Sequence, residues 1–178
     1  IEMAVYDDQS PAPDSDLEGR AACIGGDMSK SYDLTAIEVA FADDDGGFTV
    51  LSFPFIPETA FRRRAKELPD VPWQEWRDKG HLTVIPGDLI DDEVIEAKIH
   101  ELCDLYDVRE IGFDPKFAAK IMANLLDDGL PIIEIPQRPL ILGPFYTEMQ
   151  RAIIGRKFRH GSHPVLRWCV ANAVPMPG

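Results

Sequence analysis

Three short apolar segments joined by polar turns occupy residues 20–56 and constrain the fold more than any other feature. They read RAACIGGD, LTAIEVAFA and FTVLSFPFI. The alternation of the second segment indicates a half-buried strand, and the intervening turn DDDGG (43–47) is typical of a tight hairpin. We therefore predict strands over residues 20–27, 34–42 and 48–56, paired antiparallel.

The rest of the chain alternates between helical and extended patterns. Helical patterns are PETAFRRRAKEL, VPWQEWRDKG, DDEVIEAKIHELCDLYD and PKFAAKIMANLLDDG, and extended ones are HLTVIPG, VREIGFD and LPIIEIP. A strand, a helix and a strand joined by short links form a right-handed parallel crossover. The sequence thus predicts an α/β fold whose mixed sheet has three antiparallel strands followed by parallel strands, with helices on both faces.

The charge of the chain is uneven. The net charge of −13 over 178 residues argues against a simple nucleic-acid binder. Residues 138–178, however, contain only one acid, Glu148, and six basic residues: Arg138, Arg151, Arg156, Lys157, Arg159 and Arg167. A polyanion could meet this basic edge of an acidic body, and a merely solvated face explains the same charges.

Two aspartates follow predicted strands of the sheet. Asp27 ends the first strand and Asp114 ends VREIGFD. If these strands are neighbours, about 4.8 Å apart, the carboxylates face each other and repel unless one is protonated or a divalent cation lies between them. Magnesium needs only one or two protein carboxylates plus substrate phosphates, an arrangement that suits two-metal phosphodiester hydrolysis. The alternative is that each carboxylate binds loop amides.

Asp33 lies six residues after Asp27 and has two possible roles. It could turn back toward the same site as a metal ligand, or serve as a turn residue that caps the hairpin entry.

Further along the chain, Arg156, Lys157, Arg159, His160 and Arg167 form a candidate DNA-backbone contact. Solvation of a helix face is the alternative for this second group.

Four segments carry a resemblance to a known family: IGGDMSKSYDLTAIEVAF, FPFIPETAFRRRAKELPDVPWQEWRDKGHLTVIPGDLIDDEVIEAKI, VREIGFDP and PLILGPFYTEMQRAIIGRKFRHGSHPVLRWCVANAV. In order and spacing, from about Arg20 to Val174, they resemble the nuclease domain of the large terminase subunit of tailed bacteriophages. The resemblance implies a ribonuclease H-like fold and a metal-dependent endonuclease that cuts concatemeric double-stranded viral DNA, with two Mg²⁺ or Mn²⁺ ions as cofactors. Asp27 and Asp114 match its catalytic aspartates, and Asp33 matches a further acidic position that assists metal binding in some members.

The resemblance also implies a domain organisation and partners. Residues 1–19, acidic and proline-bearing, are expected to be a flexible linker from an upstream ATPase domain, and residues 20–178 a nuclease domain truncated at its C-terminus. The third catalytic acid of the family lies beyond SHPVLRWCVAN, and neither Glu134 nor Glu148 matches it. Expected partners are double-stranded DNA, the terminase ATPase domain, the small terminase subunit and the portal protein, in the cytoplasm of the infected bacterium and with no membrane.

Three other classes compete with this interpretation. An actin-like or chaperone-like ATPase half needs a second phosphate loop and a second lobe, and a P-loop would require glycines where Ile24 and Ser29 stand. Ribonuclease H, resolvases and integrases share the expected fold, which alone cannot choose among them. A non-catalytic docking module that binds the portal or the small subunit through its acidic body would tolerate loss of Asp27.

Overall fold

A computed structural model of the protein describes residues 2–8, 16–29 and 31–173. Its strands are β1 Ala21–Asp27, β2 Thr35–Ala42, β3 Phe48–Pro57, β4 Thr83–Ile85, β5 Asp107–Phe113, β6 Ile132–Glu134 and β7 Phe158–Arg159. Its helices are α1 Met3–Asp7, α2 Glu58–Glu67, α3 Trp73–Asp78, α4 Asp92–Leu105, α5 Pro115–Asp127, α6 Pro139–Ile154 and α7 Pro164–Asn172. Among the described residues, no helix has the length and apolar character to cross a bilayer.

The strands form one mixed sheet in the order β4-β3-β2-β1-β5-β6, and β7 also pairs with β3. The first three strands are antiparallel, and β4, β5, β6 and β7 each run parallel to the strand they pair with. The predicted order of antiparallel and then parallel strands is confirmed. The β2–β3 hairpin closes through Gly46, whose positive φ of 74° suits glycine, and through a hydrogen bond from the Asp43 amide to the Gly47 carbonyl.

The main core lies between one face of the sheet and helices α4 and α5. On β2, every second residue is fully buried, which is the pattern expected of a strand with one face in the core: Thr35, Ile37, Val39 and Phe41. Ile95, Ile99 and Leu102 supply the facing stripe of α4 at helical spacing. Each such side chain contributes about 1.5–3 kcal/mol on burial, so this layer fixes the register of the central strands.

A second apolar cluster holds α2, α3 and α7 together near the end of β3. Trp73 packs edge-on against Trp76 and Trp168, with ring centroids 5.3 and 5.5 Å apart, and Ile56 and Val165 complete the contact. The geometry is that of favourable edge-to-face aromatic pairs. The tryptophans are therefore packing residues.

The N-terminal segment differs from the predicted linker. Residues 3–7 form α1, and Tyr6 is fully buried with its ring stacked 3.9 Å from that of His160. Asp7 forms a bidentate pair with Arg167 at 2.6 and 2.7 Å. Leu17 also packs into the main core. The linker prediction is wrong for the described residues 2–8 and 16–19, because aromatic, aliphatic and acidic side chains there find partners in the domain; residues 1, 9–15 and 174–178 lie outside the described part.

Candidate active site: paired carboxylates at the ends of two central strands

The sheet brings Asp27 and Asp114 side by side. Strands β1 and β5 are parallel neighbours, and Gly26 pairs with Phe113. Asp27 and Asp114 are the next residues on each strand, so they lie at the same edge of the sheet with backbones about 4.8 Å apart. This edge carries the carboxyl ends of the parallel strands, where functional groups of α/β sheets gather. The predicted juxtaposition is present, and the catalytic role of the pair stays a prediction.

Two glycines make the strand ends beside this pair compact. A Cβ added to Gly26 would lie 1.9 Å from the Phe113 ring, and one added to Gly112 would lie 2.2 Å from the end of the Ile135 side chain. Neither position has room for a side chain without displacing its neighbour. The glycines therefore let Phe113 and Ile135 pack directly against the strands that carry the aspartates.

Asp114 has a second structural task. It precedes α5 as its N-cap, with its carboxylate accepting a hydrogen bond of 3.2 Å from the Lys116 amide and with Pro115 at the first helical position. The positive end of the helix dipole favours a negative charge at this point. The alternative role predicted from the sequence, in which the carboxylate binds backbone amides, therefore applies to Oδ1 of Asp114.

The electrostatics of Asp27 reflect a crowded anionic site. Although the residue as a whole is exposed, partial desolvation of its carboxylate among neighbouring groups raises its pKa above the ordinary value. A hydrogen bond from Gln137 opposes this shift, and the charges of Asp114 and Asp33 raise the pKa further. A carboxylate whose charge is disfavoured by burial and by neighbouring anions is stabilised by a cation, and two carboxylates are a donor set that hard divalent cations accept. The two aspartates thus supply oxygen ligands of the kind a divalent cation prefers, and among the described residues no third His, Cys, Asp or Glu side chain joins them in a metal-binding group.

Gln137 was missed by the sequence reasoning. It lies in the link between β6 and α6, three residues after Glu134, and its side chain hydrogen-bonds to Asp27. Glutamine has no characteristic metal-site spacing. The available signal was its position just after a parallel strand that ends at the same edge of the sheet as β5.

Asp33 is held away from a shared ligand set. Its Oδ1 accepts a hydrogen bond of 3.2 Å from Arg64 and another of 2.9 Å from the Leu34 amide, and its side chain is 71% exposed. Within residues 2–8, 16–29 and 31–173, no group of three or more His, Cys, Asp or Glu side chains could hold a metal ion. The turn role accounts for the bond from the Leu34 amide, and an ion pair with α2 accounts for the bond from Arg64. The influence of Asp33 on Asp27 is electrostatic.

The predicted DNA contacts on β7 lie at the opposite end of the sheet. Asp27 pairs with Ala36, which pairs with Pro54 of β3, whereas Arg159 pairs with Thr49. Five residues along a strand span about 17 Å. The guanidinium of Arg159 bonds to Asp43 and Asp45, both at 2.7 Å, and Lys157 donates to the Asp45 carbonyl, so these side chains brace the β2–β3 turn.

The remaining predicted contacts also have partners within the chain. His160 is 2% exposed, and its ring nitrogen bonds to the Tyr6 carbonyl at 2.9 Å, so the prediction that it touches DNA is wrong. Arg156 pairs with Asp8 and Arg167 with Asp7. The structure therefore does not unite the five predicted contacts in one free basic surface.

The mixed sheet, with acidic residues ending β1 and β5, defines a ribonuclease H-like domain. A family model described as the terminase large subunit, endonuclease domain, matches residues 3–176, a range that begins at α1. The chain belongs to this family.

Two relatives and one solved structure extend the match. The large terminase subunit of Enterobacteria phage HK97 is 31% identical over 152 residues, covering 84% of this chain and 30% of that protein. Protein YmfN of Escherichia coli strain K12 is 24% identical over 170 residues, covering 89% of this chain and 36% of that protein. The crystal structure of the HK97 bacteriophage large terminase superposes with a TM-score of 0.87 at 28% identity, covering 97% of this chain and 36% of that one. The chain thus spans about a third of these relatives, and the shared fold is ribonuclease H-like.

Proposed function

We propose that this domain is a metal-dependent endonuclease that cuts concatemeric double-stranded DNA during viral packaging, with Asp27 and Asp114 as its metal-binding carboxylates. The observation that carries the proposal is the register of β1 and β5, which sets the two carboxylates at one edge of the sheet. Mg²⁺ or Mn²⁺, two ions in the proposal, would supply water activation and stabilise the departing oxygen of a phosphodiester. Asp33 would join these two carboxylates as a metal ligand only after its ion pair with Arg64 had broken.

The chain's own residues orient the site. Gln137 holds one carboxylate through its hydrogen bond to Asp27, and the start of α5 holds the other through the Lys116 amide. Both carboxylates are thus fixed before substrate arrives, which lowers the ordering cost of binding. Placement at the sheet edge leaves the pair open toward a bound duplex.

The wider setting of the proposal follows the family. An ATPase domain, a small terminase subunit and a portal protein are the proposed partners, and the cytoplasm of an infected bacterium is the proposed location. These partners belong to the whole packaging machine, of which this chain would supply the cutting domain.

Nicking of supercoiled plasmid tests the proposal. With Mg²⁺ or Mn²⁺ present, Asp27→Asn and Asp114→Asn should each abolish nicking, because each removes one of only two carboxylates. Asp104→Asn is the matched control, since Asp104 is an exposed aspartate at the end of α4, three residues before β5 begins, whereas Asp114 follows the other end of that strand. Retained nicking in either site variant contradicts the proposed roles. A strong preference for an RNA–DNA hybrid over duplex DNA would instead favour a ribonuclease H.

A second candidate, protein docking, is favoured by one specific observation. Helix α6 exposes large apolar side chains: Leu140 at 94%, Phe145 at 63%, Tyr146 at 60% and Ile154 at 68%. Exposed apolar side chains gathered on one element are typical of a surface that another protein covers. If docking is the domain's whole task, Asp27→Asn leaves packaging intact while Phe145→Ser disrupts it; the nuclease proposal requires packaging to fail in Asp27→Asn.

A further inference from the structure

Helix α2 carries the densest run of positive charge in the chain. Four of the five residues from Arg62 to Lys66 are basic, whereas the six basic residues of the C-terminal segment are spread over residues 138–178. A phosphate backbone responds to such local charge rather than to the net charge of the domain. The position of α2 relative to the paired carboxylates therefore decides whether it can serve the proposed function.

The fold sets α2 at the same end of the sheet as Asp27. Asp27 pairs with Ala36 of β2, and Ala36 pairs with Pro54 of β3. Three residues later β3 ends at Pro57, and α2 begins at the next residue. The chain therefore enters α2 at the edge of the sheet that carries the acidic pair. Arg159, by contrast, pairs at the far end of β3.

Two arginines of α2 contact the loop that follows Asp27. Arg64 bonds to the Asp33 carboxylate at 3.2 Å, and Arg63 donates to the Tyr32 carbonyl at 3.3 Å. The Arg63 guanidinium also lies 4.6 Å from the centre of the Tyr32 ring. Since Asp33 is close enough to raise the pKa of Asp27, α2 stands one loop away from the acidic pair.

The outer face of α2 remains open. The Arg62 side chain is 73% exposed and, of the residues that the structure describes, pairs only with Glu58 one turn earlier; Lys66 is exposed in the last turn. Exposed pairs of this kind contribute little to stability and are screened by salt, so a phosphate can replace the glutamate. Ala60 and Phe61 hold the opposite face of the helix in the tryptophan cluster. The helix is thus anchored on its inner face and exposes Arg62 and Lys66 on its outer one.

We propose that the outer face of α2, formed by Arg62 and Lys66, binds the phosphate backbone of the duplex beside the proposed cutting site. Arg63 and Arg64 instead hold the loop that carries Tyr32 and Asp33. This inference rests on the proposed nuclease function and moves the DNA-contact surface from the C-terminal residues to α2. Such contacts are electrostatic and carry no sequence information, as general cutting of concatemers requires.

Binding measured without cleavage tests the proposal. We would follow the fluorescence anisotropy of a labelled mixed-sequence duplex with the whole chain in EDTA, over a series of salt concentrations. Arg62→Ala/Lys66→Ala should weaken binding at least about tenfold at roughly 0.1 M salt and reduce the slope of log affinity against log salt by about two. The matched control, Arg156→Ala/Lys157→Ala, removes the same charge and should change affinity less than about twofold, because a uniform charge effect is screened over a Debye length of about 10 Å.

Each result decides the proposal. An equal loss in both double variants shows a nonspecific charge effect and overturns it, as does unchanged binding in the α2 variant. Circular dichroism should match the wild type in both variants, since all four side chains are exposed; the melting temperature should fall in the control alone, because it also removes the Lys157 bond that braces the β2–β3 turn. The two proposals fail in different ways. Nicking that survives Asp27→Asn contradicts the proposed nuclease function. Normal DNA binding by the α2 variant, together with lost nicking in Asp27→Asn, contradicts only the proposed role of α2.

Discussion

Replacing Glu38 by glutamine should stabilise the domain increasingly as the pH rises from about 4.5 to above 7, and have little effect below about pH 4.5. Glu38 lies on β2 and points to the face of the sheet opposite the main core. Its Oε1 accepts a hydrogen bond of 2.6 Å from Ser52, and its Oε2 is buried with no hydrogen-bond partner among the described residues. Burial raises the pKa of Glu38 to about 7, against an ordinary value of 4.5, and the bond from Ser52 only partly opposes this.

The sign of the effect follows from proton linkage. The folded protein holds the Glu38 proton more tightly than the unfolded chain does, so this stabilisation is complete below about pH 4.5 and is lost as the pH rises through about 7. The difference between these pKa values corresponds to about 3 kcal/mol of unfolding free energy at pH 8. Glu38→Gln removes the ionisation and should recover up to that amount.

Urea unfolding at a series of pH values from 5 to 9 measures the effect. The difference in unfolding free energy between Glu38→Gln and wild type should grow with pH and level off above about pH 8, because other titrating groups cancel in the comparison. Ser52→Ala is the companion variant: it removes the one bond that favours the charged form, so its loss of stability should be larger at pH 8 than at pH 5. A difference for Glu38→Gln that stays flat with pH, or a loss at pH 8, refutes the reasoning.

Three further predictions concern packing and helix capping. Gly26→Ala should lower the unfolding free energy by about 1–3 kcal/mol, because its Cβ would meet the Phe113 ring, and an unchanged urea midpoint contradicts this. Tyr6→Ala should lower the unfolding free energy by about 3 kcal/mol, because it removes the ring that stacks on His160. A melting temperature equal to that of the wild type would show that α1 does not pack against the domain in solution. His163 caps α7, and its pKa is lowered to about 4, mainly by burial and to a lesser degree by repulsion from the imidazole of His81. The contribution of neutral His163 to the unfolding free energy is therefore present above pH 6.5 and lost as the pH falls through 4. His163→Asn should reduce the loss of stability in acid, and an acid unfolding curve identical to that of the wild type argues against this.

The sequence predicts well those features that depend on local pattern. Alternation places the second strand at 34–42, and the structure has Thr35–Ala42, because the hydrophobic period and the hairpin turn act within a few residues. The pairing of Asp27 with Asp114 also follows, since both residues end strands and parallel strands end at one edge.

Long-range charge pairing was not predictable in the same way. Asp33 and Arg64 are 31 residues apart, and Arg159 and Asp43 are 116 apart. Counting charge along the chain treats the C-terminal segment as a basic edge, yet in space its cations meet acids of α1 and of the β2–β3 turn. Tyr6 shows the same limit: an isolated aromatic residue in an acidic segment carries no periodic signal, and only tertiary packing orders it.

Anomalous diffraction from crystals soaked in Mn²⁺ tests the central claim most directly. We predict an anomalous peak between the Asp27 and Asp114 carboxylates, with Mn–O distances near 2.1–2.2 Å, close to those of other small oxygen-ligated divalent cations. The peak should be absent in crystals of Asp27→Asn soaked in the same way. Well-ordered carboxylates with no peak between them, or a peak only elsewhere in the domain, would contradict the account.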